Sequence, residues 1–172
     1  MKKLLIVIDM QNDFIDGSLG TPEAVSIVEK VKDKIRAYPP EAVIATMDTH
    51  GPDYLSTREG RYLPVEHCIR GTEGWQIRPE IAVLLDRALI LEKPTFGSVD
   101  LAKRLASMED LEEAELVGLC TDICVVSNAL LIKAALPELE ISVDAACCAG
   151  VTPEKHQAAL ETMRSCQIRV TE

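Results

Sequence analysis

Residues 114–125, Ala-Glu-Leu-Val-Gly-Leu-Cys-Thr-Asp-Ile-Cys-Val, join a short apolar run to a polar turn and then to a second apolar stretch. The run over 114–119 predicts a buried strand. The residues after it predict a turn that leads into a helix over 124–135. This strand-to-helix pattern is typical of proteins with a parallel sheet.

The same alternation continues along the chain. Five further strands are predicted at 4–8, 42–47, 88–91, 141–143 and 168–170, and further helices at 22–37, 79–86, 99–106 and 153–165. Thr21 and Thr152 are the predicted N-caps of two of these helices. Continuous apolar strands joined by helices indicate an α/β fold: a doubly wound, six-stranded parallel sheet with helices on both faces. We expect one domain over residues 1–172, because 172 residues with 47% hydrophobic content suffice for one core.

Charge and composition argue against several partner classes. The net charge of −10 disfavours nucleic acid and anionic membranes as partners, and 3% aromatic residues disfavour a base-stacking surface. The first apolar run, residues 4–8, is too short for a signal-peptide core or a membrane span. Six cysteines without a regular spacing fit reduced thiols, so we expect a cytoplasmic protein.

Reactive side chains occur at four predicted strand ends. They are Asp9, Asp48 with His50, Glu92 with Lys93, and Cys120 with Cys124. In parallel α/β sheets, ligands bind beyond the carboxyl ends of the strands. The connection over 49–76 is longer than a usual crossover loop, so we expect it to line the same site.

Cys124 is the candidate nucleophile because it lies at a predicted helix N-terminus, where the helix dipole favours a thiolate. No histidine follows a strand end close to Cys124, so a carboxylate must accept the proton of the thiol. Asp9 can do so, and Lys93 can serve as its counter-ion. The alternatives are that Cys124 is a small buried hydrophobe and that the two charges reach solvent.

Asp48, His50 and His67 form a candidate metal site. Two imidazoles and one carboxylate suit Zn²⁺, Fe²⁺ or Mn²⁺ and leave a position for water or substrate. The third histidine, His156, is expected to face solvent on the last helix. Cys68 is interpreted as structural, and Cys147, Cys148 and Cys166 as core thiols.

Three motifs resemble the isochorismatase-like cysteine hydrolases, a family that includes nicotinamidases. They are Asp-Met-Gln-Asn-Asp-Phe at 9–14, Glu-Lys-Pro-Thr-Phe-Gly-Ser at 92–98 and Gly-Leu-Cys-Thr-Asp-Ile-Cys-Val at 118–125. The resemblance covers nearly the whole chain and implies a catalytic triad of Asp9, Lys93 and Cys124. It also implies a cis peptide between Leu119 and Cys120, with the N–H groups of Cys120 and Cys124 forming an oxyanion hole.

The nicotinamidase-like branch further implies a substrate and a metal. The implied reaction is hydrolysis of nicotinamide to nicotinate and ammonia. The implied cofactor is a divalent metal that binds the pyridine nitrogen, with zinc as the first candidate. Phe14 and Phe96 are then candidates to pack on the ring, and a homo-oligomer is expected. The chain departs from the branch at Ser56, where some members have another histidine, and at Pro64, where mycobacterial-type members have a tryptophan.

Two other functions stay open at this point. The same triad could hydrolyse an N-carbamoyl compound or another small carboxamide. From a different class, the chain could be a non-catalytic protein that binds a metal or a small molecule. Isochorismate hydrolysis is disfavoured because it needs neither the metal residues nor Cys124.

Overall fold

Six parallel strands form one sheet in the computed structural model, which describes residues 3–172. The strands are β1 (Lys3–Ile8), β2 (Val43–Asp48), β3 (Leu89–Lys93), β4 (Glu113–Leu119), β5 (Glu140–Ala149) and β6 (Arg169–Thr171). Their order in the sheet is β3-β2-β1-β4-β5-β6. This order changes direction between β1 and β4, as in doubly wound folds, and it confirms the predicted fold class.

Helices cover both faces of the sheet. They are α1 (Asn12–Ile15), α2 (Pro22–Arg36), α3 (Arg58–Tyr62), α4 (Pro79–Ala82), α5 (Val99–Ala106), α6 (Val126–Ala135) and α7 (Pro153–Ser165). Side chains alternate along β1, so Leu5 and Val7 pack in the core under α2, while Leu4 and Ile6 pack in the core under α5 to α7. The two cores hold the strands whose carboxyl ends carry the reactive residues.

Several element boundaries differ from prediction. The fifth strand runs over ten residues instead of three. Residues 144–149 are small or polar and give no strand signal, although Cys148 and Ala149 pair with β4 after a register shift. The helix after Pro79 ends at Ala82, well before residue 86. Lys93 lies within β3 and pairs with Asp48 at the end of β2, so these two side chains share one face of the sheet.

Local signals for the helix starts are confirmed. The hydroxyl oxygens of Thr21 and Thr152 accept hydrogen bonds from the N–H groups of Ala24 and Lys155. All six cysteines are free thiols, but Cys166 is exposed and not a core residue, because it follows the end of α7. Within residues 3–172, no helix has the length and apolar content needed to cross a membrane.

Candidate active site

Asp9, Lys93 and Cys124 meet in a buried cluster at the carboxyl edge of the sheet. The Lys93 Nζ lies 2.7 Å from Asp9 Oδ2 and 3.5 Å from the Cys124 Sγ. It also donates a 3.0 Å hydrogen bond to the carbonyl of Thr95. The other Asp9 oxygen accepts a 2.6 Å hydrogen bond from the Thr46 hydroxyl. All three side chains that the sequence grouped therefore come together.

Burial gives this cluster unusual protonation equilibria. It raises the pKa of Asp9 above its usual value, although the Lys93 charge opposes the shift. It also raises the pKa of Cys124, and the neighbouring Asp9 adds to that rise. Burial alone would lower the pKa of Lys93, but Asp9 and Cys124 outweigh it and raise that pKa. The resting centre thus holds a thiol and an ammonium group beside a carboxylate that can take up a proton.

Cys124 is held on a wide turn of π-helix over Thr121–Val125, which continues directly into α6. The Leu119–Cys120 peptide bond that precedes this turn is cis. The Cys120 carbonyl accepts hydrogen bonds from the N–H groups of Ile123 and Val125. Upstream, Gly118 has φ +118° and lies so close to the Ile8 carbonyl that a Cβ would approach its oxygen to 2.1 Å. A glycine is therefore needed here for β4 to approach β1.

His156 contacts this turn instead of facing solvent as predicted. Its Nδ1 lies 2.8 Å from the Thr121 hydroxyl, and it is partly buried because α7 starts directly above the turn. The Asp122 carboxylate accepts a 2.9 Å hydrogen bond from the Val151 N–H. A Cβ at Gly150 would lie within 3.0 Å of both His156 and Asp122. The glycine thus permits the close packing that turns His156 inward.

Four side chains form a candidate metal centre beside the triad. The predicted Asp48, His50 and His67 are joined by Glu59, and one ligand atom from each lies within 4.8 Å of all the others. Asp48 Oδ2 is 3.0 Å from His50 Nε2 and 3.6 Å from His67 Nε2. Glu59 Oε1 is 3.6 Å and 3.7 Å from the same two nitrogens.

This donor set fits a small divalent cation. Ligand bonds of 2.0–2.2 Å place tetrahedral donors about 3.4 Å apart, and the four carboxylate-to-imidazole distances lie between 3.0 Å and 3.7 Å. The His67 Nδ1 donates a 2.8 Å hydrogen bond to the Val65 carbonyl, which leaves Nε2 free to act as a ligand. Asp48 and Glu59 are both acidic, and two carboxylates share one enclosed site most stably around a cation.

Glu59 is the ligand that sequence reasoning missed. It lies on α3, inside the long connection, at no recognisable metal-ligand spacing. Tyr54 is buried below it, with its ring 4.8 Å from His50 and 4.9 Å from His67. A Cβ at Gly60 would lie 2.1 Å from the Tyr54 carbonyl oxygen, so a glycine is needed for α3 to pack there and bring Glu59 to the histidines.

Asp48 connects the two centres. Its second carboxylate oxygen is 3.3 Å from the Lys93 Nζ. Burial alone would raise the pKa of Asp48, but hydrogen bonds from His50 and His67 and the Lys93 charge lower it. Asp48 is therefore ionised and faces both the imidazoles and the triad.

Two buried amides position these groups, and neither was predicted. Gln11 donates to the carbonyls of Asp48 and Trp75 and accepts from the Asp48 N–H. Asn128, on α6, donates to the carbonyls of Phe96 and Cys124. A polar side chain on the buried face of an otherwise apolar helix is the signal that could have identified Asn128.

A cavity of about 40 Å³ opens onto Cys124, Asp48 and His67. Phe14 and Phe96, the predicted ring-packing residues, both line it. Phe14 is buried, with its ring 5.6 Å from that of His67, whereas Phe96 is 42% exposed at the mouth. The cavity brings together the thiol, the metal residues and two aromatic rings.

Comparison with known proteins gives one family. The model of the Isochorismatase domain matches residues 3–172. An uncharacterized isochorismatase family protein of Bacillus subtilis is 33% identical over 146 residues, which cover 76% of this chain and 78% of the relative. The nicotinamidase/pyrazinamidase of Mycobacterium tuberculosis is 29% identical over an alignment that covers 98% of this chain and 97% of the relative.

A solved structure has the same fold over its whole length. The crystal structure of pyrazinamidase of Pyrococcus horikoshii in complex with zinc has a TM-score of 0.84 and 29% sequence identity. The match covers 100% of this chain and 99% of that one.

Proposed function

The chain belongs to the isochorismatase family, in its nicotinamidase-like branch, and we propose that it hydrolyses nicotinamide to nicotinate and ammonia through a thioester on Cys124. It is a hydrolase that acts on C–N bonds. The observation that carries the proposal is the contact of one buried lysine with Asp9, Asp48 and the Cys124 thiol. This contact couples a nucleophile and its base to a cluster of metal ligands.

In the first half of the reaction, Asp9 accepts the proton of Cys124 and the sulfur attacks the amide carbon. Lys93 stabilises the charge on both groups while the proton moves. The N–H groups of Cys120 and Cys124 hold the oxyanion of the tetrahedral intermediate. Asp9 then returns its proton to the departing nitrogen, the C–N bond breaks, and ammonia leaves a thioester behind.

In the second half, water attacks the thioester. Asp9 takes a proton from the water, and the hydroxyl oxygen adds to the carbonyl carbon. The C–S bond then breaks, and the proton returns to the sulfur. The acid is released and the resting thiol is restored. The raised pKa of Asp9 suits a group that both accepts and donates a proton in each cycle.

Four residues would hold a divalent metal, with zinc as the first candidate: Asp48, His50, Glu59 and His67. A metal held there would act as a Lewis acid toward the ring nitrogen of the substrate. Phe14 and Phe96 pack on the ring, and the carboxamide faces Cys124. The grouping of two imidazoles and two carboxylates, a donor set that suits a divalent metal, supports this arrangement.

We also propose that the protein is a cytoplasmic homo-oligomer. Six free thiols, including the exposed Cys166, favour a reducing compartment. The edge strand β3 exposes the apolar side chains of Leu89 and Ile90, which a second copy would cover. Light scattering in reducing buffer measures the mass of the assembly.

The deciding experiment measures ammonia release from nicotinamide. Protein is loaded separately with zinc, iron or manganese, and Cys124→Ala protein loaded in the same way is the control. We expect release that requires both the metal and Cys124. Turnover by Cys124→Ala at the wild-type rate would reject the thioester mechanism.

Two results would point to the alternatives. Ammonia release from N-carbamoyl compounds or other small amides, but not from nicotinamide, would keep the triad and change the substrate. Metal binding with no turnover of any amide, unaffected by Cys124→Ala, would indicate a binding protein that retains the fold.

A further inference from the structure

A second, larger cavity adjoins the one at Cys124. It measures about 450 Å³. Its lining comes mainly from α3 and Leu63, and from Thr95 and Phe96, which follow β3. Four residues line both cavities: Glu59, Leu63, Phe96 and Ile123. The two spaces therefore lie on either side of one ring of side chains, with the thiol on the inner side and the larger space outside.

The inner cavity is too small for an aromatic amide that carries a further substituent. Its 40 Å³ corresponds to about three water molecules. Pockets that enclose organic ligands measure about 300–1,000 Å³, a range that includes the outer cavity. A substrate with its ring at Phe14 and its carbonyl carbon at Cys124 would therefore extend any further group past Leu63 and Phe96 into the outer cavity.

The lining of the outer cavity indicates what it binds. Its walls are mainly aromatic and aliphatic, and its polar residues are Arg58, Glu59 and Thr95. The apolar lining residues are Tyr62, Leu63, Phe96 and Ile123. Tyr62 is 83% exposed and Phe96 is 42% exposed, so both rings have faces that are open to a ligand. Exposed aromatic side chains beside a catalytic cavity favour planar or apolar groups.

We infer that the outer cavity is a substrate subsite for an apolar or aromatic group on the far side of the ring from the carboxamide. The preferred substrates are then aryl carboxamides that carry such an extension, and Tyr62 and Leu63 determine the preference. This inference rests on the proposed amidase function, with Cys124 as the fixed end of the substrate.

The test compares nicotinamide with nicotinamides that carry a propyl or phenyl group at ring position 5 or 6. The zinc-loaded enzyme is expected to use at least one extended amide with a kcat/KM at or above that of nicotinamide. Tyr62→Ala is expected to lower the ratio of extended to parent kcat/KM by about 3- to 10-fold. Val83→Ala, which truncates a 71% exposed apolar residue outside both cavities, is the matched control and should leave the ratio unchanged.

A binding measurement separates failure of the subsite from failure of the proposed reaction. Zinc-loaded Cys124→Ala protein is titrated with the same amides by calorimetry, with and without Tyr62→Ala. Tighter binding of an extended amide that is lost with Tyr62→Ala supports the subsite, even if nicotinamide is never hydrolysed. Equal affinities for parent and extended amides would overturn it.

One further result would also overturn the inference. If Tyr62→Ala changes the mass of the assembly in light scattering but leaves the substrate ratio unchanged, the face around Tyr62 is a contact between copies of the chain. The exposed aromatic rings would then serve assembly instead of substrate choice.

Discussion

Two clusters of buried or half-buried charges within residues 3–172 can be compared. The carboxyl-edge cluster consists of Asp9, Asp48, Lys93 and Cys124. The helix α2 cluster consists of Lys34, Tyr38, Glu115 and Asp144, with Lys3 beside it. In the second cluster, Lys34 Nζ lies 3.1 Å from Glu115 and 2.5 Å from Asp144, and the Tyr38 hydroxyl donates to Glu115. Both clusters centre on a lysine between two carboxylates.

The clusters differ in how their charges are balanced. In the helix α2 cluster, hydrogen bonds outweigh burial, raise the pKa of Lys34 and lower that of Glu115, so both groups stay charged. In the carboxyl-edge cluster, one lysine faces two carboxylates, and burial raises the pKa of Asp9 and of the thiol. A cluster whose ion pairs keep their charges, as Lys34 and Glu115 do, is structural. One whose shifts conflict is prepared for proton transfer and for a cation.

Replacing one aspartate in each cluster gives the largest expected contrast. Asp9→Asn removes the proton acceptor of Cys124, so kcat should fall about 10²- to 10⁴-fold while the metal content is unchanged. Asp144→Asn, the matched change in the helix α2 cluster, should leave kcat within twofold. Ammonia release and metal analysis measure both variants. Wild-type kcat in Asp9→Asn would remove Asp9 from the mechanism.

Removing each lysine compares the two clusters by stability. Lys93→Met leaves Asp9 and Asp48 buried without their cation and should reduce the free energy of unfolding by about 3–5 kcal/mol. Lys34→Met should cost about 1 kcal/mol, because the Lys34 side chain is 24% exposed. Urea denaturation of the metal-free proteins measures both. Equal losses would show that the two clusters contribute alike.

Glu59→Gln tests whether the carboxyl-edge cluster extends to a fourth metal ligand. Removal of this carboxylate should weaken zinc binding at least about 10-fold. Competition with a chromophoric chelator measures the affinity, and Glu66→Gln, an exposed residue next to His67, is the control. Unchanged affinity in Glu59→Gln would leave a site of three protein ligands.

The smallest expected effect concerns pH and Glu115. The folded pKa of Glu115 lies below its unfolded value of 4.5, so the group stabilises the fold above pH 4.5. That contribution is lost as pH falls through the folded pKa. Wild type should exceed Glu115→Gln in stability by about 1 kcal/mol at pH 6–7, and the difference should narrow below pH 4.5. A constant difference from pH 7 to pH 3 would contradict this assignment.

Sequence reasoning identified the residues that follow directly from strand position. Asp9, Asp48, Lys93 and Cys124 come at or just beyond the ends of apolar strands, and topology alone brings those ends together. Glu59 was missed because its position depends on the packing of α3 against Tyr54. The inward turn of His156 was missed because it depends on close backbone packing at Gly150. Contacts between loops leave no periodic signal in a sequence.

The bond between His156 and Thr121 has a consequence for the newly made chain. Every side chain of the carboxyl-edge cluster has been translated by residue 124, whereas β5, α7 and β6 follow it. The turn that carries Cys124 receives its contacts with Val151 and His156 only after those later segments emerge from the ribosome. We therefore expect a nascent chain to carry all of its reactive groups well before it can use them.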